Sequence, residues 1–437
     1  MEGSNILKFP GALFFFSAIY NIVRDGESRK NQLLHFIFLR IGDVPMKKAE
    51  AQGDYSLYLL GSRSLLLWSL PLLVCMLSLC WQKANASENI TIALMYSVTG
   101  KAALPNDDLG KMVRLAIDDV NSRGGVLGRQ LELVVFDTMS TPIGSAQAAQ
   151  KAVTLGVSAV VGGIRSSHSL AMAPVLQKAD IPMITPVSTN PQVTLVGDYI
   201  FRVCFLDHHQ GRTMALFARE ELGAQTTAVV TNIDEEYSIE LGNYYRRSFE
   251  QAGGRVVAKL QYRADSTEFS TLLAELQQFD PDVVYLPGYS RDSGLFIKQA
   301  RALGFSFTFL GGDAWEGITA YAEDAVDGSY LTVPWHPVVD QEMSRNLKER
   351  YFRLYGSTLD SFSSPLAYDA IMVLVEAMRM AGSTDGKRVR DALASIESYQ
   401  GVTGEIGFDA NGDPKGKQVI IIEFEDTRPT IVKILRS

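Results

Sequence analysis

The chain has 437 residues, 46% hydrophobic and 21% charged, an ordinary globular composition with length for two or three domains. Its formal net charge of −8 argues against nucleic acid as a partner. Residues 1–86 carry nine basic and six acidic side chains, so the negative charge belongs to the remainder.

The first 45 residues contain the apolar stretch FPGALFFFSAIYNIV and fit no part of a secretion signal. Met46-Lys47-Lys48 reads as a more natural start; if the upstream stretch is real, it is a second membrane-seeking segment. Arg63, an apolar run from Leu65 to Trp81 and Ala84-Asn85-Ala86 are the three parts of a secretory signal peptide. Cleavage after Ala86 would start the mature chain at Ser87; the alternative is an uncleaved membrane anchor. Cys80 lacks the small preceding residue that lipidation would want. Cys75 and Cys80 lie in this leader and Cys204 alone follows it, so the body forms no internal disulfide. An exported body without disulfides needs a large hydrophobic core, and about 350 residues can supply one.

From Ile90 onward, strand and helix patterns alternate. ITIALMYS reads as a strand, LGKMVRLAIDDVNSRGG as a helix stopped by two glycines, LELVVFD as a strand and PIGSAQAAQKAVTLG as a helix. VSAVVGG, SHSLAMAPVLQKAD and IPMITP continue as strand, helix and strand. After DYIFRVCFLDHHQG the pattern restarts with FAREELG as a helix and TTAVVTN as a strand. SIELGNYYRRSFEQAGG (helix), RVVAKLQYR (strand), FSTLLAELQQFD (helix), PDVVYLPG (strand), RDSGLFIKQARALGF (helix) and FTFLGGD (strand) follow. This βαβ alternation predicts an α/β fold with parallel sheets covered by helices on both faces, in two lobes with a cleft between them.

Several chemistries lack their residues. There is no phosphate loop, and the first strand runs into YSVTGKAALP rather than a dinucleotide-binding glycine motif. His168, His208, His209 and His336 are scattered without metal-ligand spacing, and no cofactor motif is present. GGIRSSHS lacks the G-x-S-x-G elbow, so Ser166 has no partner to make it a nucleophile, and an enzyme is not expected.

Ligands in open α/β sheets bind beyond the carboxyl ends of the strands. Those ends carry Arg165, Ser166 and Ser167 after VVGG; Val187, Ser188 and Thr189 after MITP; Asp234 and Tyr237 after VVTN; Tyr289 after VVYLPG; and Asp313 and Trp315 after FTFLGG. Hydroxyls and free N–H groups at a helix start suit a carboxylate, an aspartate suits an ammonium, and aromatic faces suit an apolar group or a cation. Together they suit a zwitterion such as an α-amino acid. Duller readings stand beside this one. Ser166, Ser167 and Thr189 also suit capping, and Asp313 a turn. Tyr237 and Tyr289 suit a surface, Arg165 an acidic surface partner, and Trp315 interlobe packing as much as a pocket wall.

The order and spacing of AIDDVNSRGGVLGRQLELVVFD, ITPVSTNP, IKQARALGF, FLGGDAWEG, AYDAIMVLVEAMRMAG and GVTGEIGFDANGDP resemble the type I periplasmic binding proteins of ABC transporters, in the branched-chain amino-acid group. The resemblance runs from about Ile90 to the C-terminus. It implies two Rossmann-like lobes joined by a three-crossover hinge near Asp207, Trp335 and Gly416. One lobe would be 88–207 with 337–416, and the other 208–336 with 417–437. It implies that Ser166 binds the ligand carboxylate, and that Thr189 serves carboxylate and ammonium through its N–H and hydroxyl. Val187 would offer its carbonyl and Asp313 its carboxylate to the ammonium, with Tyr237 and Tyr289 opposite. The sequence departs from that pattern in three places. Pro105 stands where leucine-type proteins place an aromatic contact, Asp313 where they carry Glu, and Arg165 where a small or neutral residue is common. Arg165 could admit a polar or acidic ligand side chain. The implied function is capture of an amino acid in the periplasm by a monomer, for delivery to an ABC permease and ATPase complex. The alternative is a sensor of an amide or other small organic anion.

Overall fold

The computed structural model describes residues 89–103, 107–339 and 341–436. The signal segment, the upstream apolar stretch and Pro105 all lie outside the described residues.

The first sheet is built from β1 (Ile90–Tyr96), β2 (Leu131–Asp137), β3 (Ala159–Gly162), β4 (Met183–Thr185) and β5 (Ile200–Arg202). All neighbours pair parallel, in the order β2-β1-β3-β4-β5. β3 and β4 are buried along their whole length, as parallel strands covered on both faces must be. The crossovers are α1 (Asp108–Ser122), α2 (Pro142–Leu155) and α3 (Ser166–Lys178). Leu109, Met112, Val113, Ala116, Ile117 and Val120 form the buried stripe of α1 at helical spacing. Thr141 starts α2 by accepting from Gly144 N–H at 2.9 Å, with Pro142 in the first turn.

The second sheet contains β6 (Thr226–Asn232), β7 (Arg255–Tyr262), β8 (Val283–Tyr285), β9 (Thr308–Gly311) and β10 (Tyr330–Val333). Between the sheets runs α4 (Asp207–Glu220), and within the second unit α5 (Glu236–Gln251), α6 (Ser270–Gln277), α7 (Ser290–Ala302) and the short α8 (Thr319–Ala322). The chain then returns as α9 (Glu342–Tyr355), α10 (Ser364–Ala381) and α11 (Gly386–Ala394), followed by the small hairpin of β11 (Tyr399–Gly401) and β12 (Gly404–Ile406). Leu347, Tyr351, Leu366, Ile371, Leu374 and Leu393 of these helices share one core with Ile92, Leu94 and Val161 of the first sheet. The chain finally rejoins the second sheet as β13 (Gln418–Glu425) and β14 (Arg428–Arg436), giving the order β14-β13-β10-β9-β8-β6-β7.

Two features differ from the sequence reading. The second sheet is mixed, because β13 pairs antiparallel with both β10 and β14. A parallel return needs a crossover of a dozen residues or more, whereas Asp426-Thr427 alone join β13 to β14. Both have positive φ, 49° and 62°, the backbone a tight hairpin turn demands. Helix α4 also begins at Asp207, ten residues before FAREELG, with Asp207 placed favourably in its first turn.

Candidate functional site

The loops that follow β1, β3, β4, β8 and β9 line one cavity of about 230 Å3, which Tyr237 of α5 enters from the second lobe. Seven of the nine predicted residues line it: Arg165, Ser166, Val187, Thr189, Tyr237, Tyr289 and Asp313. Ser167 and Trp315 do not. Ser167 donates to Glu235 Oε2 at 2.9 Å, and Trp315 is fully buried in the second core, with its indole N–H on the Leu286 carbonyl at 3.0 Å.

Ser166 is the first residue of α3 and is 2% exposed, so its hydroxyl stands among the unpaired N–H groups of a helix start. The turn before it requires glycine: Gly163 has φ +77°, and a Cβ there would lie 1.8 Å from Ser169 Oγ. The Thr185 hydroxyl donates to the Gly163 carbonyl at 2.6 Å and accepts from Ser188 N–H at 3.0 Å, tying the loop after β4 to the turn after β3. Arg202, fully buried, holds the far side of that loop. Its guanidinium donates to the Ser188 and Asn190 carbonyls at 2.7 and 2.9 Å and to Asp413 Oδ1 at 2.5 Å. Val187 and Thr189 are thereby fixed on the cavity wall. Thr189 Oγ1 is buried beside the Asp207 carboxylate, whose charged form it helps to stabilise.

Across the cavity, Asp313 Oδ1 accepts from Tyr237 OH at 2.9 Å and from Gln210 Nε2 at 3.0 Å. Gly312 makes this approach possible, since a Cβ there would meet Tyr237 OH at 2.3 Å. Gln210 also donates to Asp207 Oδ1 at 2.8 Å and accepts from the Thr332 hydroxyl at 2.8 Å. It links the cavity acid to the start of α4 and to β10. Burial, with loss of hydration of the charged form, pushes Asp313 up to about 6 and Asp207 up to about 7. The Tyr237 and Tyr289 rings lie 5.3 Å apart at 37° and continue the wall.

Most other charges at the cavity are engaged. Arg165 pairs with Glu235 at 3.0 Å, Lys101 with Asp265, Asp107 with Arg114 at 2.9 Å and Asp108 with Lys111 at 3.2 Å. Glu316 accepts from Phe362 N–H at 3.0 Å and from the Ser363 hydroxyl. Arg291 lines the cavity with no ion pair among the described residues. In all, three basic and four acidic residues contribute to the wall. Among the described residues no group of acids, histidines and cysteines is placed to hold a metal ion.

Sequence reasoning missed Arg202, Asp413, Gln210 and Asp207. An arginine inside the apolar run YIFRVCF was the available signal for the first, because a buried cation needs a buried anion. Tyr96 at the end of β1, and Ser97 and Lys101 to Ala103 after it, also line the cavity and were passed over.

A model of the periplasmic binding protein family matches residues 89–428. The Leu-, Ile-, Val-, Thr- and Ala-binding protein of Pseudomonas aeruginosa is 31% identical over 352 residues, covering 80% of this chain and 93% of that protein. A Leu/Ile/Val-binding protein homologue of Brucella abortus is 27% identical over 347 residues, 78% of this chain and 92% of that protein. Among solved structures, a leucine-binding protein of Thermotoga maritima superposes with a TM-score of 0.74 at 33% identity, covering 79% of this chain and 98% of the other. The branched-chain amino acid transporter substrate-binding protein of Streptococcus pneumoniae, in complex with isoleucine, gives 0.75 at 26% identity, covering 80% and 100%.

Proposed function

The chain belongs to the periplasmic binding protein family, and we propose that its cleft captures an α-amino acid with a neutral side chain for delivery to an ABC permease. It binds and passes on a solute rather than transforming one, and the family implies a periplasmic location. Among the described residues no helix is long and apolar enough to cross a membrane. Export through the Arg63–Ala86 signal, action as a monomer and partnership with a permease and ATPase complex belong to the same proposal.

The observation that carries it is the pairing, in one cavity, of a helix start bearing Ser166 with the desolvated carboxylate of Asp313. The first suits a ligand carboxylate and the second a ligand ammonium. Thr189 on the cavity wall can turn its hydroxyl from Asp207 to the ligand, and the Val187 carbonyl is a second acceptor for the ammonium. An amino acid would restore to Asp313 the charge compensation that burial removes. Tyr237 and Tyr289 would close the apolar end.

A wall of three basic and four acidic residues offers no excess positive charge to a second carboxylate, and Arg165 is already paired. Arg291 is the wall cation left without an ion pair among the described residues, and the neutral ligand side chain is read from the relatives, which are named for uncharged amino acids. For the hinge we propose the lobes 88–207 with 337–416 and 208–336 with 417–437, which close on the ligand. A thermal-shift screen against amino acids, amides and aromatic acids tests the proposal, since a ligand at 100 times its Kd adds about 2.7 kcal/mol of stability. Stabilisation by leucine, isoleucine, valine, threonine or alanine supports it; stabilisation by organic anions alone overturns it.

A further inference from the structure

Arg165 reaches across the cleft. Its Nη1 donates to Glu235 Oε1 at 3.0 Å, while Ser167 on the same turn donates to Glu235 Oε2 at 2.9 Å. The guanidinium carbon lies 3.7 Å from the Tyr289 ring centroid, stacked on the second lobe. Arg165 and Tyr289 both line the cavity, so this cluster stands at its rim. It unites three helix starts: Arg165 precedes α3, Glu235 precedes α5 and Tyr289 precedes α7. The Glu235 carboxylate thus sits at the positive ends of its own helix and of the helix bearing Ser166.

Glu316 likewise joins the proposed lobes, accepting from Phe362 N–H at 3.0 Å and from the Ser363 hydroxyl, whereas the remaining contacts across the cleft are weaker in kind. Lys101 and Asp265 are 66% and 77% exposed, where an ion pair contributes little. Asn190 reaches the Glu236 carbonyl only at 3.4 Å. The Arg165 and Glu235 side chains are 21% and 12% exposed, and both carboxylate oxygens are engaged.

We propose that Arg165, Ser167, Glu235 and Tyr289 form a clasp that holds the lobes closed over the ligand, with Arg165 as a positioning residue rather than a ligand contact. Every partner comes from the opposite lobe, so opening breaks all of its bonds at once. The clasp biases the open-to-closed equilibrium and sets the rate of ligand release. It rests on the ligand-capture reading, but its bias toward closure exists without ligand.

Two readouts test it, in full-length protein carrying Cys75→Ser and Cys80→Ser. The first is the distance between spin labels at Ile143→Cys and Thr267→Cys, beside the edge strands β2 and β7, in ligand-free protein at low salt. The second is the release rate of L-leucine by stopped-flow fluorescence. Glu235→Gln should deplete the short-distance population and speed release on the order of tenfold. The double variant Arg165→Met/Glu235→Gln should lose less than the sum of the two single losses, because the two residues share one bond, while the Tyr289 stacking is lost with Arg165 alone. An unchanged short-distance population in Glu235→Gln, or additive losses in the double variant, overturns the clasp. Failure of the wild type to bind leucine or its relatives counts against the ligand reading alone, and the distance measurement still decides the clasp.

Discussion

Replacing Asp313 by Asn tests the ammonium site with the least change of shape. The amide oxygen can still accept from Tyr237 OH and Gln210 Nε2, now 2.9 and 3.0 Å away, so the local packing has reason to survive. The remaining carboxylate oxygen becomes an NH2 group, which meets a ligand ammonium donor to donor. Losing one charge-assisted hydrogen bond costs about 1.5–3 kcal/mol, and at about 1.4 kcal/mol per decade this is roughly a 10- to 150-fold rise in Kd. Titration calorimetry with the best amino acid from the screen measures it, and circular dichroism confirms the fold. The wild type should also lose affinity as pH falls through about 6, because Asp313 must be ionised to hold an ammonium. By pH 5 the loss is roughly tenfold for a group at about 6, and Asp313→Asn should abolish this dependence. A variant Kd within twofold of wild type, or a wild-type Kd flat between pH 5 and 7, would refute the assignment.

Four further outcomes follow from the same geometry. Arg202→Met leaves Asp413 buried without its cation and frees the Ser188 and Asn190 carbonyls; unfolding experiments should show a loss of about 3–5 kcal/mol, with affinity falling as the loop loosens. Gly312→Ala pushes a Cβ into Tyr237 OH, so calorimetry should show weakened binding in a protein that still folds. Trp315→Phe should lower Tm through the lost core volume and hydrogen bond while leaving Kd within twofold, as befits a residue off the cavity. Asp207 and Asp313 keep protons in the folded state at pH values where the unfolded chain, with carboxyls near 3.9, has released them. Ligand-free stability should therefore fall as pH rises from about 4 through 6 to 7, and Asp207→Asn should flatten that slope in a pH series of Tm values.

The repeating βαβ pattern made the two parallel cores legible, because β3, β4 and β8 are short, mostly apolar runs and the helices carry a regular buried stripe. The antiparallel end of the second sheet was not legible, since a two-residue turn at Asp426-Thr427 and a sheet order set by contacts far along the chain leave little local trace. The cavity wall could be read from strand ends, as ligand-facing loops must follow them. What could not be read was the support behind it. Arg202 meets Asp413 across more than two hundred residues, and Gln210 meets Asp313 across about one hundred. Trp315 follows a strand end as faithfully as Asp313 does, yet its size and apolarity send it inward to the core. Arg165 drew attention as a departure from the pattern the resemblance implies, but its partner Glu235 lies on the second lobe, beyond any local pattern.

The central claim is that one cavity recognises both charged ends of an amino acid. Calorimetry of L-leucine beside 4-methylpentanoic acid, which lacks the ammonium, and 3-methylbutylamine, which lacks the carboxylate, tests it most directly. The account predicts one-to-one binding of leucine or a similar neutral amino acid, with both truncated analogues weaker by at least tenfold. Binding of the acid as tight as that of the amino acid would contradict it.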